Sequence, residues 1–184
     1  LYDWTLSLAA HRHAMWALAV ISFIESSVFP IPPDVLMIPM IIAAPHKAWR
    51  IAAVATLSSV LGALLGYFIG WGLFETLGAP ILEFYGKMHE FEEFSARFEE
   101  IGVWAVLVAG MTPFPFKVIT ITSGVLSFPL VPFILSSIVA RAARFFIVAA
   151  LLWKFGAPIR DFIEKRLGLV FIVFCVLLVG GFYA

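Results

Sequence analysis

Charged side chains are scarce in this sequence. Asp, Glu, Lys and Arg make up 13% of the 184 residues, whereas hydrophobic residues make up 62%. An ordinary soluble domain carries about 25% charged residues. A soluble protein of this composition would expose a large apolar surface to water, so the composition predicts an integral membrane protein.

Cysteine and histidine are also rare. Cys175 is the single cysteine, so the chain by itself forms neither a disulfide nor a cysteine metal site. The four histidines lie in polar stretches, and the spacing of His89 to Glu90, Glu92 and Glu93 lacks a metal-ligand pattern. No nucleophile–base pattern or phosphatase-like basic motif is present. We therefore expect no catalytic residue, no metal, no cofactor and no enzymatic activity.

A proline-rich motif occurs twice, 83 residues apart. The first copy, at 29–36, reads Phe-Pro-Ile-Pro-Pro-Asp-Val-Leu, and the second, at 112–119, reads Thr-Pro-Phe-Pro-Phe-Lys-Val-Ile. Proline removes a backbone donor, clashes with the preceding helical turn and pushes the residue before it out of the helical region. Each copy therefore predicts a break, with Asp34 just past the first and Lys117 just past the second. The prolines at the breaks are Pro30, Pro32, Pro33, Pro113 and Pro115.

The apolar segments beside each break are short. Residues 14–29 and 35–44 flank the first break, and neither reaches the roughly 20 residues of a spanning helix. Together they predict a re-entrant helical hairpin, as do 101–111 and 118–128 around the second break. Paired breaks in two halves of a chain indicate a transporter's binding site.

The remaining segments complete one membrane domain with two repeats, at about 14–74 and 101–156. Residues 51–74 form a span whose small residues, Ser58, Gly62, Gly66 and Gly70, favour a helix-packing face over a lipid-lining groove.

Residues 75–100 are predicted to form an amphipathic connector at the membrane surface. A helix begins after Pro129 and runs to about 155, and a last apolar segment covers 167–183. The chain begins with Leu1, so we expect the native N-terminus to lie upstream. The fold class is thus an all-α membrane protein.

Basic residues are distributed unevenly over the predicted loops. If both breaks are hairpins, the N-terminus and the 45–50 and 154–166 loops share one side, and the connector lies on the other. The first side carries seven basic residues and the second carries two, Lys87 and Arg97. The positive-inside rule then places the N-terminus in the cytoplasm. The hairpins enter from opposite sides, which is the geometry of an inverted-topology repeat.

Five charged residues remain inside the predicted membrane segments: Glu25, Asp34, Lys117, Arg141 and Arg144. A charge at the bilayer centre costs about 2.5–3.5 kcal/mol on insertion scales, so these groups are expected to share a polar cavity. Arg141 and Arg144 lie on one helical face, and guanidinium groups bind phosphate bidentately. With Lys117 they are candidate phosphate ligands. An apolar site favours the uncharged form of a carboxyl group, so Glu25 and Asp34 are candidate proton carriers. The alternative is an internal salt-bridge network.

These residues resemble a known family. The segment from Glu25 through Pro30-Ile31-Pro32-Pro33-Asp34 resembles the first hairpin of DedA-type membrane proteins, which share the VTT (SNARE-associated Golgi protein-like) domain. The second motif, running on to Ser123-Gly124, resembles their second hairpin, and Arg141-Ala142-Ala143-Arg144-Phe145 resembles the YqaA-like branch. Many members place an arginine on each side of the second hairpin's proline. Here Gly110 or Met111 stands at the first position and Lys117 stands near the second.

The resemblance implies two re-entrant hairpins that meet mid-membrane, and transport of lipid between leaflets. For a bacterial member it implies an inner-membrane location, recycling of undecaprenyl phosphate and proton-dependent envelope maintenance. It also carries the family's acidic hairpin residues over to Glu25 and Asp34. The expected partners are membrane lipids, an anionic lipid substrate and protons, with no nucleic acid and a possible homo-oligomer. An ion-coupled exporter of small solutes and a structural or assembly factor remain as alternatives.

We predict that position 47 faces the cytoplasm and position 92 faces the outside. In a Cys175→Ser background, Glu92→Cys should react with an impermeant maleimide added to intact cells, and Lys47→Cys should react only after permeabilisation. The opposite labelling pattern would invert the topology.

Overall fold

The chain folds into helices joined by short connections. The computed structural model describes residues 13–28, 32–86, 88–112 and 115–156. The α-helices are α1 Ala14–Ser27, α2 Asp34–Ala43, α3 Ala48–Leu73, α4 Ala79–Phe84, α5 Met88–Met111, α6 Phe116–Val125 and α7 Leu130–Phe155. Within the described ranges there is no β-strand, so the all-α prediction is confirmed. Two of the prolines at the predicted hairpin breaks, Pro30 and Pro113, lie outside the described residues, as does the segment 167–183.

Two helical stretches are long and apolar enough to cross a membrane, judged by length and composition. They are Pro45–Phe84, with 40 residues, and Leu130–Phe155, with 26 residues. The first consists of a 3₁₀ turn at Pro45–Lys47, α3, a π-helical turn at Phe74–Gly78 and α4. Helices α1, α2 and α6 are apolar but have only 14, 10 and 10 residues. This composition and these lengths agree with a membrane protein.

The helices are interrupted at both proline motifs. Helix α1 ends at Ser27 and α2 begins at Asp34, with Pro33 at its N-cap. Helix α5 ends at Met111 and α6 begins at Phe116, with Pro115 at its N-cap in an extended conformation. Pro32, the other described proline at the first break, precedes α2, and its carbonyl accepts a hydrogen bond from the backbone N–H of Val35. The sequence therefore located both interruptions from proline chemistry alone.

The helix boundaries within 75–100 differ from the expected connector. The long helical stretch continues to Phe84, and α5 then runs without interruption from Met88 into the apolar residues that end at Met111. Because no proline stands between residues 88 and 111, the change from polar to apolar sequence near residue 100 does not end the helix. The predicted position of this segment at a membrane surface stays a prediction.

Helix α3 lies at the centre of the packing and contacts α1, α6 and α7. Its glycine face makes this approach close. A Cβ atom at Gly62 would overlap the carbonyl oxygen of Phe23 in α1, and one at Gly70 would overlap the carbonyl oxygen of Ile121 in α6. Gly66 lies against Thr120 of α6 in the same way. Small residues at this spacing allow helix backbones to touch, so the predicted packing face is present.

Two apolar clusters lie on either side of a polar layer. One joins the start of α1, α2, the start of α3 and the end of α7, around Leu18, Ile41 and Leu152. The other joins the middle of α3 to α5, α6 and the start of α7, around Phe116 and Phe133. Glu25 and Ser26 near the end of α1 and Arg141 of α7 are buried as well, and Arg141 lies between the parts of α7 that belong to the two clusters.

We predict that Gly62→Ala destabilises the protein and that Gly72→Ala does not. The first substitution forces a methyl group against the Phe23 carbonyl, and overpacking of this kind costs about 1–3 kcal/mol. Gly72 lies in the same helix with nothing within 4 Å of its added Cβ, so alanine there should be neutral or stabilising by up to about 1 kcal/mol. Thermal unfolding of the detergent-solubilised variants, followed by far-UV circular dichroism, measures both effects. Equal melting temperatures for the two variants would contradict the packing described.

Candidate functional site

Arg141 of α7 is the most deeply buried charged residue among those described. Its exposed fraction is 0%. Its Nη2 donates to Oε2 of Glu25 in α1 at 2.5 Å, and its Nε donates to Oγ of Ser59 in α3 at 2.6 Å. A single guanidinium thereby joins three helices. Its charge is compensated inside the protein, as a buried charge requires.

The partners of Arg141 also bind one another. Ser26 Oγ donates to Oε2 of Glu25 at 3.0 Å and lies 2.6 Å from Oγ of Ser59. Because Ser59 accepts from Arg141, its hydroxyl proton is free to point at Ser26, whose own proton points at Glu25. Glu25, Ser26, Ser59 and Arg141 thus form a closed ring of hydrogen bonds, which we call the buried ring. The loss of one member of such a network is costly in an apolar interior, because the other polar groups are left without hydrogen-bond partners.

Two phenyl rings enclose the guanidinium of Arg141. Its Cζ lies 4.8 Å from the ring centroid of Phe116 and 4.7 Å from that of Phe145. Both distances fall within the range for cation–π attraction, which is stronger when the cation is desolvated. Phe116 is the first residue of α6, so the second break is fastened to Arg141 through this contact.

Arg144 joins the two breaks. Its Nη2 donates to Oδ2 of Asp34 at 2.7 Å, and its Nη1 donates to the carbonyl oxygen of Thr112 at 2.9 Å. Asp34 begins α2 just after the first break, and Thr112 follows α5 just before the second. The Arg144 and Asp34 side chains are 11% and 9% exposed. Two motifs that are far apart in the sequence are therefore held together by one side chain.

Lys117 makes a second connection between the breaks. Its Nζ donates to the carbonyl oxygen of Val28 at 3.1 Å, directly after α1. The last carbonyls of a helix lack intrahelical partners and form the negative end of the helix dipole, so a cation there is favourable. Lys117 serves the end of α1 as Arg144 serves the end of α5. Each break thus receives a cation from a later part of the chain.

The five charged residues expected to share one site fall into three groups. Glu25 pairs with Arg141, Asp34 pairs with Arg144, and Lys117 forms no ion pair within the described ranges. Three cations and two carboxylates leave one positive charge, at Lys117. Both arginines are occupied by carboxylates, which agrees with the salt-bridge network kept as the alternative. Within the described ranges the five residues thus make two ion pairs and one lysine–carbonyl contact.

Some hydrogen-bonding capacity in this layer remains unused. Oδ1 of Asp34, Nη1 of Arg141 and the hydroxyls of Ser22 and Ser137 are buried without a hydrogen-bond partner among the described residues. Buried polar atoms in folded proteins normally have a protein or water partner. Asp34 therefore binds Arg144 through Oδ2, and its Oδ1 is available to accept a hydrogen bond or a proton.

The sequence reasoning missed four residues of the site. Phe145 stands four residues after Arg141 and Phe116 lies inside the second motif, so both were within reach of a search for aromatic neighbours. Ser26 and Ser59 gave no signal, because isolated serines are common in packed helices. No group of three or more His, Cys, Asp or Glu side chains capable of holding a metal occurs in the described part of the chain.

Comparisons with known proteins agree on one family. A protein-family model described as the VTT domain matches residues 31–154. An uncharacterized protein of Haemophilus influenzae is 39% identical over 168 residues, which cover 89% of this chain and 87% of that protein. An uncharacterized protein of Histophilus somni is 40% identical with the same coverage. No solved structure matches the chain significantly.

The match covers both proline motifs from Ile31 onward and reaches Lys154, so it includes Asp34, Arg141 and Arg144. Glu25 lies before it. The family is generally linked to membrane transport or lipid flipping. With its two long apolar helices and its matched residues, this chain belongs to the VTT-domain (DedA) family of membrane proteins.

Proposed function

We propose that the protein moves an anionic lipid, undecaprenyl phosphate or a phospholipid, between the leaflets of the bacterial inner membrane. The observation that carries this proposal is the position of Arg144, which binds both Asp34 after the first break and Thr112 before the second. A transporter needs a polar site at membrane depth where irregular backbone is protected by protein. The flanks of both breaks meet at this arginine.

The depth of the arginines supports this assignment. Arg141 stands 11 residues after the start of α7 at Leu130 and 14 residues before its end at Phe155. At about 1.5 Å per residue it lies roughly 17 Å from one end of the helix and 21 Å from the other. In a hydrocarbon core about 30 Å thick, a spanning α7 carries both arginines near the middle.

Two consecutive pairs of helices with matching lengths support an internal repeat. Helix α2 has 10 residues and is followed by α3 with 26, and α6 has 10 residues and is followed by α7 with 26. Each short helix begins directly after the last proline of its motif. In this arrangement α1–α3 and α5–α7 are two repeats, their hairpins enter the membrane from opposite sides, and the N-terminus is cytoplasmic.

The two ion pairs have different roles in this proposal. Arg141 is fully enclosed by the buried ring and two phenyl groups, so it supports the structure. Arg144 has one carboxylate and one carbonyl partner and a partly exposed side chain, so its partners exchange more readily. We assign phosphate binding to Arg144, with Lys117 as the second cation and Arg141 as the support behind them.

Exchange of the Arg144 partner gives a mechanism for proton coupling. A proton on Oδ1 of Asp34, the oxygen with no partner among the described residues, removes the carboxylate's negative charge. The Arg144–Asp34 ion pair then becomes an ordinary hydrogen bond, and the guanidinium fork is released toward an arriving phosphate. Loss of the proton restores the ion pair and displaces the phosphate. Glu25 stays within the buried ring during this cycle.

A second candidate function is that of a structural or assembly factor of the envelope. It is favoured by the pairing of both arginines with carboxylates, which leaves neither guanidinium without a counter-charge. In that case the ion pairs would only fasten the hairpins. Variants of Arg144 and Asp34 separate the candidates, because only transport requires the Asp34–Arg144 pair to open.

We predict that Arg144→Lys and Asp34→Asn impair lipid exchange without unfolding the protein. Lysine keeps the positive charge but loses the fork, so exchange of a fluorescent phosphate lipid in proteoliposomes should fall about tenfold. Wild-type exchange should increase when the proton-donating side is acidified, and Asp34→Asn should abolish this pH response. Arg97→Lys, at an exposed position on α5, is the control and should match the wild type. Wild-type rates and pH profiles in both site variants would favour the structural candidate.

We predict a different effect for Glu25→Gln, namely loss of stability. Removal of one partner from a buried ion pair typically costs about 3–5 kcal/mol, because the remaining charge is uncompensated. The double variant Glu25→Gln/Arg141→Met should recover much of this loss, since it removes both charges. Glu92→Gln, at an exposed position on α5, should leave the melting temperature unchanged. A Glu25→Gln protein as stable as the wild type would show that the buried ring does not hold α1, α3 and α7 together.

A further inference from the structure

Aromatic side chains form a cluster at one end of the helix bundle, where α3 begins and α7 ends. The ring of Trp49 lies 6.0 Å from that of Phe146, with the planes inclined by 23°, and 6.2 Å from that of Trp153. Trp49 and Trp153 remain about half exposed, at 46% and 54%. Stacked rings with open faces at a helix end are typical of a membrane–water interface, where one side of the ring is apolar and the other is wet.

Basic side chains surround this cluster. Lys47 and Arg50 are exposed at the start of α3, and Lys154 is exposed at the end of α7. None of them forms an ion pair with a carboxylate within the described ranges. Helices α3 and α7 contain no Asp or Glu at all. The resulting surface carries three positive charges with no acid on either helix.

The surfaces next to the cluster identify the partner. Further along the same helices, large apolar side chains face outward, among them Leu57, Leu61 and Ile147, which are 53–67% exposed. Toward this end of the bundle the outer surface thus changes from aliphatic residues to a zone that holds both aromatic rings and cations. A phospholipid has the same order, from acyl chains through the glycerol region to the phosphate. A soluble protein or a nucleic acid would match the cations alone.

We propose that Lys47, Trp49, Arg50, Trp153 and Lys154, here called the interfacial patch, bind the headgroups of anionic phospholipids in the leaflet that contacts this end of the bundle. The cations contact the phosphates and the tryptophans pack at the glycerol level. Trp153 stands nine residues after Arg144 in α7, roughly 14 Å along the helix, so this site is separate from the central ion pairs. It does not depend on whether the protein transports lipid.

Lipid retention by the purified full-length protein tests the proposal. Native mass spectrometry from micelles with equal amounts of phosphatidylglycerol and phosphatidylcholine gives the ratio of the two retained lipids. The wild type should retain more phosphatidylglycerol than phosphatidylcholine. The triple variant Lys47→Gln/Arg50→Gln/Lys154→Gln should lower this ratio about tenfold, since each basic residue near an anionic surface contributes to the binding free energy. The charge-retaining triple Lys47→Arg/Arg50→Lys/Lys154→Arg should keep it.

Two control variants distinguish this site from others. Arg97→Gln removes one exposed positive charge on α5 and should leave the lipid preference intact. Arg144→Gln removes the cation assigned to the central phosphate site, so any change it causes measures lipid retention at that site and is compared with the change in the neutral triple variant. Unchanged preference in the neutral triple variant overturns the proposal. So does an equal loss in Arg97→Gln, which indicates a general charge effect. Loss in Arg144→Gln alone assigns retention to the central site and overturns the interfacial patch without contradicting transport.

Discussion

A guanidinium with no access to water must find its counter-charge within the protein, and this requirement organises the interior. Arginine keeps its proton in proteins, whereas a buried lysine becomes neutral by losing a proton and a buried carboxylate by gaining one. Arg141 therefore fixes where Glu25 must lie, and with it the approach of α1 to α7. Ser26 and Ser59 complete the donors and acceptors around the pair. The glycines of α3 then allow α1 and α6 to come close enough for this arrangement to close.

Arg144, one turn further along α7, meets the same physical demand with a different result. Its partners are supplied by the two places where the chain cannot be helical, because proline has interrupted the ladder of backbone hydrogen bonds there. An interrupted helix leaves carbonyl groups without partners, and a cation is a favourable partner for them. Arg144 at Thr112 and Lys117 at Val28 satisfy this need. The two cations thus satisfy carbonyl groups that the breaks leave without helical partners.

Much of the fold could be predicted from the sequence because proline, charge and hydropathy act locally. The breaks at both motifs, the helix after Pro129 and the glycine face of α3 follow from rules about single residues and their spacing. The pairing of the charged residues could not be predicted, since five groups allow several neutralising combinations and only the packing selects one. The structure pairs Arg141 with Glu25 and Arg144 with Asp34, which is one of the combinations that the charge count allowed. The helix that continues across residue 100 could not be predicted from hydropathy, because a change from an amphipathic to an apolar pattern marks a change of surroundings and not a helix end.

The contacts of Gly62 and Gly70 limit how this protein can move. The Phe23 carbonyl faces α3 at Gly62 and the Ile121 carbonyl faces it at Gly70, at positions where no other side chain fits. If α1 slid toward the start of α3, the Phe23 carbonyl would leave the space at Gly62 for Ser58 or Ser59, which lie one turn away on the same face and carry side chains. Close packing at these glycines therefore resists shear of α1 and α6 along α3. The buried ring also joins α7 to α1 and α3, so the remaining freedom of movement lies with α2 and α5.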